Sequence, residues 1–381
     1  PASFSLRSEA QRTSTVRLAS SLAAASLSDL FDHPLWIRGS SMTKFLASMF
    51  LLAGLLLGGC GGSDPVVVIQ LHPTNPDILY IATNDYIYKS RDGGKTWSNL
   101  SKGMSYSRVI AMAVDPVYPA TIYAGTKGDA VYKSYDGGQR WTSVRTGLDD
   151  ATISSVVNQF VFDPSDDNHI FLATTMGVFE SKNAGERWVK RMEGMKEVLM
   201  VVTLGMDPAH PSVMYAGTSG GVYKTIDQGA HWLQVNNGLV PEGMVKTSRA
   251  LGVTSVQVDP FAPDTVYAAT LAGLYKTTDG AVSWVRIGES LQDQMIVAMV
   301  LDHAQAGVMY LAGRDGIHRS GDGGKTWIVL NEGLTTTNIR SLAQSAMDPH
   351  VLFAGTNGSG LYKSVDGGAH WQAMPSVFPK D

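Results

Sequence analysis

The stretch that decides the fold is Ser320-Gly-Asp-Gly-Gly-Lys-Thr-Trp327. The octet occurs seven times along the chain with small variations, and the copies end at tryptophans spaced 44, 47, 44, 52, 43 and 44 residues apart. A nearly fixed period with one fixed turn in each period indicates a repeat architecture. The other six copies are Ser90 to Trp97, Ser134 to Trp141, Ser181 to Trp188, Thr225 to Trp232, Thr277 to Trp284 and Ser364 to Trp371.

The residue types of the octet predict a hairpin corner. A Ser or Thr and an Asp two residues later bond nearby backbone N–H groups, and glycine supplies the positive φ of a tight turn. The tryptophan then begins the next strand and buries a large ring whose indole N–H needs one acceptor. The acidic (or Asn) and tryptophan positions of the seven corners are Asp92, Trp97, Asp136, Trp141, Asn183, Trp188, Asp227, Trp232, Asp279, Trp284, Asp322, Trp327, Asp366 and Trp371.

This octet is the Asp-box, and the chain resembles the Asp-box (BNR-type) β-propeller families over residues 66 to about 374. Two copies are degraded, because Asn183 replaces the aspartate of the third and Ala281 replaces the later glycine of the fifth. We expect those two corners to be looser than the others.

Four strands fit each period. In the second copy an apolar inner strand begins at Arg108, followed by Thr121 to Thr126, Val131 to Ser134 and a short outer strand after Trp141. Seven such periods predict an all-β, seven-bladed β-propeller of four-stranded antiparallel blades. No strand is left over, so we expect the ring to close by packing of the first blade on the last. The predicted blades are residues 66–100, 108–145, 153–192, 200–236, 251–288, 295–331 and 339–375, within a propeller domain of 66–381.

The N-terminal region has a different composition. Residues 1–41 are rich in Ser, Ala and Arg and are interpreted as an upstream, disordered segment. Residues 42–59 have the basic start, short apolar run and small-residue end of a signal peptide. Leu57-Gly-Gly-Cys60 resembles a bacterial lipobox, which implies a lipidated Cys60 and a tether over residues 60–65. The alternative is that Cys60 is a buried apolar thiol.

Composition excludes several functions. The formal net charge of −4 argues against a nucleic-acid surface, and a single cysteine excludes an intramolecular disulfide framework. We find no Ser-His-Asp order, no Cys/His metal spacing and no phosphate-binding glycine loop, and predict no cofactor, no metal and no catalytic residue.

The two faces of such a ring differ. The first-to-second and third-to-fourth strand connections hold the repeated Asp-Pro and Asp-box turns, and we call this side the turn face. The opposite, variable face holds connections that differ between blades, and recognition is expected there. The possible interaction residues are Arg108, Lys127, Met195, Met244, Arg249, Arg314 and Arg340, where the basic groups suit an acidic partner segment and the methionines an adaptable surface. The alternatives are ordinary solvated charge and local loop packing.

Family resemblance leaves two functions open. Xyloglucan-cleaving glycosidases have similar repeats but place an acid pair between two propellers, and only one propeller is present here. Photosystem II assembly factors are single seven-bladed propellers that can carry a lipid anchor. Sialidases, with six blades and an Arg-Ile-Pro element, resemble the chain poorly. Sortilin-type receptors, with ten blades and disulfides, are excluded by this reasoning. The sequence thus predicts a non-catalytic, lipid-anchored scaffold, accessory subunit or assembly factor for a membrane-associated protein complex, on the periplasmic or extracellular side of a bacterial cell envelope. A glycan-binding or glycoside-hydrolase-like propeller is the alternative.

Overall fold

The computed structural model confirms the predicted all-β propeller. Seven four-stranded sheets each have antiparallel neighbours in simple sequence order from the first strand to the fourth. The predicted signal peptide and Cys60 lie outside the described part of the chain. The structure describes residues 64–104, 108–153, 155–195, 200–239, 251–291 and 294–375.

The 28 strands of the described residues are numbered in chain order, four to a blade. The innermost strands are β1 (Val68–Leu71), β5 (Arg108–Val114), β9 (Val157–Asp163), β13 (Val201–Met206), β17 (Val253–Val258), β21 (Ile296–Leu301) and β25 (Ile339–Gln344). The second strands are β2 (Leu79–Ala82), β6 (Ile122–Lys127), β10 (Asp166–Thr174), β14 (Met214–Thr218), β18 (Val266–Thr270), β22 (Met309–Gly313) and β26 (Leu352–Thr356). The third strands are β3 (Ile87–Ser90), β7 (Val131–Ser134), β11 (Gly177–Ser181), β15 (Gly221–Thr225), β19 (Gly273–Thr277), β23 (Gly316–Ser320) and β27 (Leu361–Ser364). The outer strands are β4 (Ser98–Asn99), β8 (Thr142–Ser143), β12 (Val189–Lys190), β16 (Leu233–Gln234), β20 (Val285–Ile287), β24 (Ile328–Val329) and β28 (Gln372–Ala373).

Helix is almost absent from these residues. One short helix, α1 (Asp150–Ile153), and one 3₁₀ turn, Glu289–Leu291, lie in connections between blades. Among the residues described, no helix has the length and apolar character needed to cross a bilayer.

The apolar core is divided among the interfaces between blades. The second-strand aromatic ring of one blade packs with the third-strand aromatic ring and the Asp-box tryptophan of the next. Between blades 2 and 3 these are Tyr123, Phe179 and Trp188, each no more than 2% exposed. Burying such a ring removes 150–250 Å² from water, which makes these interfaces the main source of stability.

The Asp-box corners have the hydrogen bonds that their sequence predicts. In the second copy the Ser134 hydroxyl accepts a bond from the Gly138 N–H at 2.8 Å, and Asp136 accepts one from the Arg140 N–H at 2.9 Å. The degraded third corner keeps both bonds, at 2.8 and 2.9 Å. In the fifth, the Ala281 N–H reaches the Thr277 hydroxyl at 3.1 Å although Ala281 has a φ of +72°. The looser geometry expected for these two corners is not seen in their hydrogen bonds.

The tryptophans also link neighbouring blades by hydrogen bonds. In four blades the indole N–H donates to a carbonyl that follows the outer strand of the preceding blade. These pairs are Trp141 with Leu100 at 2.8 Å, Trp188 with Val144 at 3.1 Å, Trp284 with Val235 at 2.7 Å and Trp371 with Leu330 at 2.9 Å. The tryptophan of the Asp-box corner therefore also joins neighbouring blades through its indole N–H.

The ring closes through the first and last blades, by packing and by hydrogen bonds. The Val66 N–H donates to the Thr356 carbonyl at 3.1 Å, and the Ser341 hydroxyl donates to the Val66 carbonyl at 2.9 Å. Val66 and Phe353 share one buried cluster. Packing was the predicted mode of closure, and the main-chain bond is an addition to it.

Candidate functional site

A bulge in the innermost strand shapes the inner wall of the ring near the variable face. In six blades the register with the second strand skips one residue, which is partly exposed. Two of these residues, Asn158 and Thr254, donate to carbonyls of the next inner strand at 2.7 and 2.9 Å, so the bulges follow one another around the wall. The bulge residues are Ile110, Asn158, Val202, Thr254, Val297 and Arg340. Arg340 is the one charged member of this set.

Three arginines converge at this wall. Burial and then the charges of Arg108 and Arg314 lower the pKa of Arg340, so the guanidinium groups of Arg108 and Arg314 each lie within electrostatic reach of Arg340. They come from blades 2, 6 and 7, so chain folding brings together positions up to 232 residues apart in sequence. We call Arg108, Arg314 and Arg340 the arginine cluster.

Lys127 adds a fourth basic group, because its Cα is the register partner of that of Arg108 across strands β5 and β6. Within the described residues, none of these four side chains forms an ion pair with an acid. These side chains are cationic, so they form a positively charged patch with no directly paired acid among the described residues. Such a site attracts carboxylates and other anions.

The remaining predicted interaction residues are placed differently. Met195 is 5% exposed and packs in the core between blades 3 and 4, with Phe171 and Trp232. The preceding Gly194 lies so close to the Trp232 carbonyl that an added Cβ would be 2.1 Å from it, and this close approach directs Met195 inward. Met244 and Arg249 lie outside the described residues.

Connections after the outer strands carry similar inward side chains in other blades. Leu148, Leu239 and Leu291 are each buried in an inter-blade cluster, and Met104 packs partly against another. The methionines of these connections therefore include core residues, as the local-packing alternative stated.

The Asp-box carboxylates are engaged in their own turns. Hydrogen bonds from the Thr96 side chain and backbone, and from Ser90, lower the pKa of Asp92 to about 2. Equivalent bonds lower the pKa values of Asp227, Asp279 and Asp366 to about 2. A carboxylate that is fully ionised and saturated with donors is a poor general acid, so these residues are structural.

A buried charge network in blade 3 was not predicted from the sequence. His169 contacts Asp163 at 2.9 Å through Nδ1 and Glu180 at 2.8 Å through Nε2, and Arg191 donates two bonds to Glu180 at 2.6 and 2.8 Å. Burial of Glu180 opposes ionisation of its carboxyl group. The hydrogen bonds from His169 and Arg191 outweigh burial and lower the pKa of Glu180 to about 2. Burial alone would lower the pKa of His169, but the hydrogen bonds of His169 to Glu180 and Asp163 raise it.

The sequence did contain a signal for this network. Glu180 occupies a repeat position that is basic in the other six blades, where the cation lies over the second-strand aromatic ring. Glycoside hydrolysis needs one acid that is protonated when substrate binds. Asp163 and Glu180 are both paired, and both have pKa values lowered by their partners, so they do not form such a pair. In the part of the chain that the structure describes, no three His, Cys, Asp or Glu side chains converge as metal ligands.

Comparison with solved structures gives the same fold. An ancestral GH74 enzyme superposes with a TM-score of 0.65 at 18% identity, covering 83% of this chain and 47% of the enzyme. YCF48 bound to D1 peptide gives 0.59 at 14% identity, covering 85% and 96%. YCF48 from Cyanidioschyzon merolae gives 0.56 at 16% identity, covering 80% and 97%.

Comparison at the sequence level is narrower. A family model described as sortilin, neurotensin receptor 3, matches residues 85–178, about a quarter of the chain. No curated protein sequence matches. The chain spans about half the length of the GH74 enzyme and nearly the whole length of the two YCF48 structures. At these identities the likeness establishes a shared propeller fold and nothing finer.

Proposed function

We propose that the protein is a non-catalytic propeller that binds an acidic segment of a partner protein at the arginine cluster on its variable face. The observation that carries the proposal is that half-buried Arg340 lies within electrostatic reach of Arg108 and Arg314, while none of the three forms an ion pair with an acid among the described residues. Leaving a partly buried cation unpaired costs free energy, and an incoming carboxylate removes that cost. Two arginine side chains can each hold a carboxylate by two parallel bonds.

The partner belongs, in this proposal, to a membrane-associated complex, with the propeller as scaffold, accessory subunit or assembly factor. Two features support this. The fold is that of YCF48, and one structure of YCF48 holds a peptide. The sequence before the described region resembles a lipoprotein signal ending at Cys60.

The first experiment measures peptide binding. Fluorescein-labelled acetyl-(Asp)₆-amide is titrated with the protein and followed by anisotropy, beside the isosteric acetyl-(Asn)₆-amide. We expect binding of the Asp peptide only, weakening as salt is added because the contact is ionic. Arg340→Gln should weaken it more than tenfold, since a hydrogen bond to a charged group is worth about 1.5–3 kcal/mol.

The control variant is Arg140→Gln. Arg140 is an exposed arginine of an Asp-box corner on the turn face, so its loss changes the net charge equally without touching the cluster. Equal weakening by Arg140→Gln and Arg340→Gln would mean that net charge alone attracts the peptide. That result would remove the assignment to the variable face.

The anchor is tested separately by Cys60→Ala in a bacterial host that processes lipoproteins. Lipidation at Cys60 predicts that the wild-type protein sediments with membranes and labels with a fatty-acid analogue, and that the variant does neither. Unchanged label in the variant would refute the lipidation. Loss of label with continued sedimentation would transfer the membrane attachment to the partner.

The alternative, a glycan-binding or glycan-cleaving propeller, is tested in the same preparation. Its support is the fold shared with the GH74 enzyme, although this chain spans only about half of that enzyme. Release of reducing sugar from xyloglucan by the purified protein would replace the scaffold proposal with an enzymatic one. Retention on a xyloglucan column without hydrolysis would favour a glycan-binding role.

A further inference from the structure

Blade 6 departs from the repeat at the third strand. At one position of that strand the other six blades have an aromatic residue, which packs against the preceding blade. Blade 6 has His318 there, 8% exposed. The aromatic residues are Tyr88, Tyr132, Phe179, Tyr223, Tyr275 and Tyr362. Since an imidazole is shorter than a phenol ring, space is left between blades 5 and 6.

A second departure lies at the end of the second strand. Six blades have a threonine whose hydroxyl bonds a carbonyl near the start of the third strand: Thr83, Thr126, Thr174, Thr218, Thr270 and Thr356. Blade 6 has Gly313 instead. A Cβ at this glycine would lie 2.2 Å from the Met295 carbonyl, so the connection before blade 6 occupies the threonine's place.

Gly313 and His318, the two residues that depart from the repeat, line the same pocket. Its wall includes Gly313, His318, Met295, Arg314 and Asp315. His318 Nε2 is enclosed and has no hydrogen-bond partner among the described residues. An unsatisfied polar atom in such a place costs about 1–3 kcal/mol, which a ligand that bonds to it would recover. The space is narrow, so a ligand group enters with a shift of Met295, whose unbranched side chain repacks easily.

The pocket is joined electrostatically to the arginine cluster. Arg314 lines the pocket and is also one of the two arginines whose charge lowers the pKa of Arg340. Burial lowers the pKa of His318, and the Asp315 charge opposes this to a smaller extent. A neutral imidazole has one N–H, which is on Nε2 in the tautomer that would donate into the pocket. Asp315 also lines the pocket, so its charge opposes that of Arg314. Arg314 can pair a small anion and an imidazole N–H can donate to it, and the anionic groups of unmodified protein side chains and chain ends that suit such a place are carboxylates.

We propose that this pocket is the specificity subsite of the variable face: it holds one carboxylate of the acidic segment, with Arg314 pairing the charge and His318 Nε2–H donating a hydrogen bond. This inference rests on the proposed function, because it takes the same segment as its ligand. It adds a requirement that the arginine cluster alone does not impose, namely one carboxylate at a fixed place between blades 5 and 6. The carboxylate can come from a side chain or from a chain terminus.

The test is His318→Phe, which installs the residue type that blade 3 has at this position and fills the pocket. Two labelled probes separate the two sources of carboxylate: acetyl-(Asp)₆-amide, and acetyl-(Asn)₆ with a free C-terminal carboxylate. We expect His318→Phe and Arg314→Gln each to weaken the probe that binds by about tenfold. The double variant should weaken it by less than the product, because both residues hold one group. Tyr275→Phe, at the equivalent position of blade 5, is the control and should leave affinity unchanged.

A second measurement reports on the imidazole itself. In ¹⁵N-histidine-labelled protein, the signals missing from the His318→Phe spectrum identify His318, and saturation with the probe should move its Nε2 resonance. If the wild-type protein binds neither probe, the proposed function fails and this inference with it. If a probe binds wild type and His318→Phe equally while Arg340→Gln abolishes binding, only the subsite is refuted. An Nε2 resonance that stays in place at saturation also refutes it.

Discussion

The interface between blades 2 and 3 and the interface between blades 5 and 6 are built from the same repeat positions and are filled differently. Among the described residues, thirteen are buried in the cluster at the first and eight in the cluster at the second. Trp188 is 1% exposed, and its indole N–H donates across the interface to Val144. Trp327 is only partly buried, and its N–H donates at 3.1 Å to Gly324 of its own corner.

This difference shows how a repeat protein can acquire an asymmetric site. Blade 6 keeps the hydrogen bonds of its Asp-box corner. Its tryptophan, Trp327, donates within that corner and not to the preceding blade. The threonine and the aromatic residue of the repeat are replaced by Gly313 and His318. The pocket lies where those side chains are lost, next to Arg314 of the cluster. In the proposal above, the space that these two replacements leave between blades 5 and 6 is the carboxylate subsite.

The largest effect is expected from removing the tryptophans. Trp188→Ala should lower the free energy of unfolding by about 3–5 kcal/mol, the usual range for a buried ring. The change leaves a cavity in a filled interface and removes the indole hydrogen bond to the Val144 carbonyl. Trp327→Ala should lower it by about half as much, since that ring is partly exposed and bonds within its own blade. Urea denaturation followed by far-UV circular dichroism measures both. Equal losses would show that the two interfaces contribute alike, and the comparison would fail.

A smaller effect is expected from the charges of blade 3, which test whether polar substitution is another way to depart from the repeat. Glu180 has a pKa of about 2 in the folded protein, below its ordinary value, so its stabilising contribution is present above pH 4.5 and is lost as the pH falls toward 2. A shift of this size corresponds to about 3 kcal/mol. His169 has the opposite sign: its pKa is raised, so its contribution is present below pH 6.5 and is lost as the pH rises through its folded value.

Glu180→Gln should therefore cost about 3 kcal/mol at pH 6 and progressively less toward pH 3, because Glu180 of the unfolded wild-type chain takes up a proton as the pH falls below 4.5 while the folded protein keeps it ionised. The measurement is the urea midpoint of both proteins at each pH. The matched variant is Lys133→Gln, since Lys133 occupies the same repeat position in blade 2 and donates to the Ala184 carbonyl at 2.7 Å. A gap between wild type and Glu180→Gln that stays constant from pH 6 to pH 3 would contradict the assignment of the stability to this carboxylate.

The sequence was sufficient to predict the fold. Seven corners at one spacing predicted the seven four-stranded blades, because each corner carries its own hydrogen bonds and needs no distant partner. Arg108, Arg314 and Arg340 were named as possible interaction residues, and in the folded chain the charges of Arg108 and Arg314 act on Arg340. Their convergence could not be read from the sequence, since it depends on the curvature that closes the ring.

The rest depends on contacts between blades. Met195 was named as a possible interaction residue, with local loop packing as the alternative, and it lies in the core next to the close approach of Gly194 to the Trp232 backbone. His318 and Glu180 stand out when the repeats are aligned, although what each touches is set by neighbouring strands and by the next blade. A departure from the repeat therefore marks a position to inspect, and its meaning comes from three-dimensional structure.

The smallest effect is expected from restoring the repeat at the pocket. His318→Tyr should raise the free energy of unfolding by about 1 kcal/mol, because the ring fills space between blades 5 and 6 and removes the enclosed, unsatisfied Nε2. The reverse change in the neighbouring blade, Tyr275→His, should lower it by about 1–2 kcal/mol by opening a similar space at a filled interface. Thermal and urea unfolding measure both. If His318→Tyr is more stable than wild type and no longer binds the carboxylate probe, the imperfect packing at His318 lowers the stability of wild type but is needed for binding. A destabilised His318→Tyr would instead mean that the imidazole is already the best fit at this interface, and the defect would not exist.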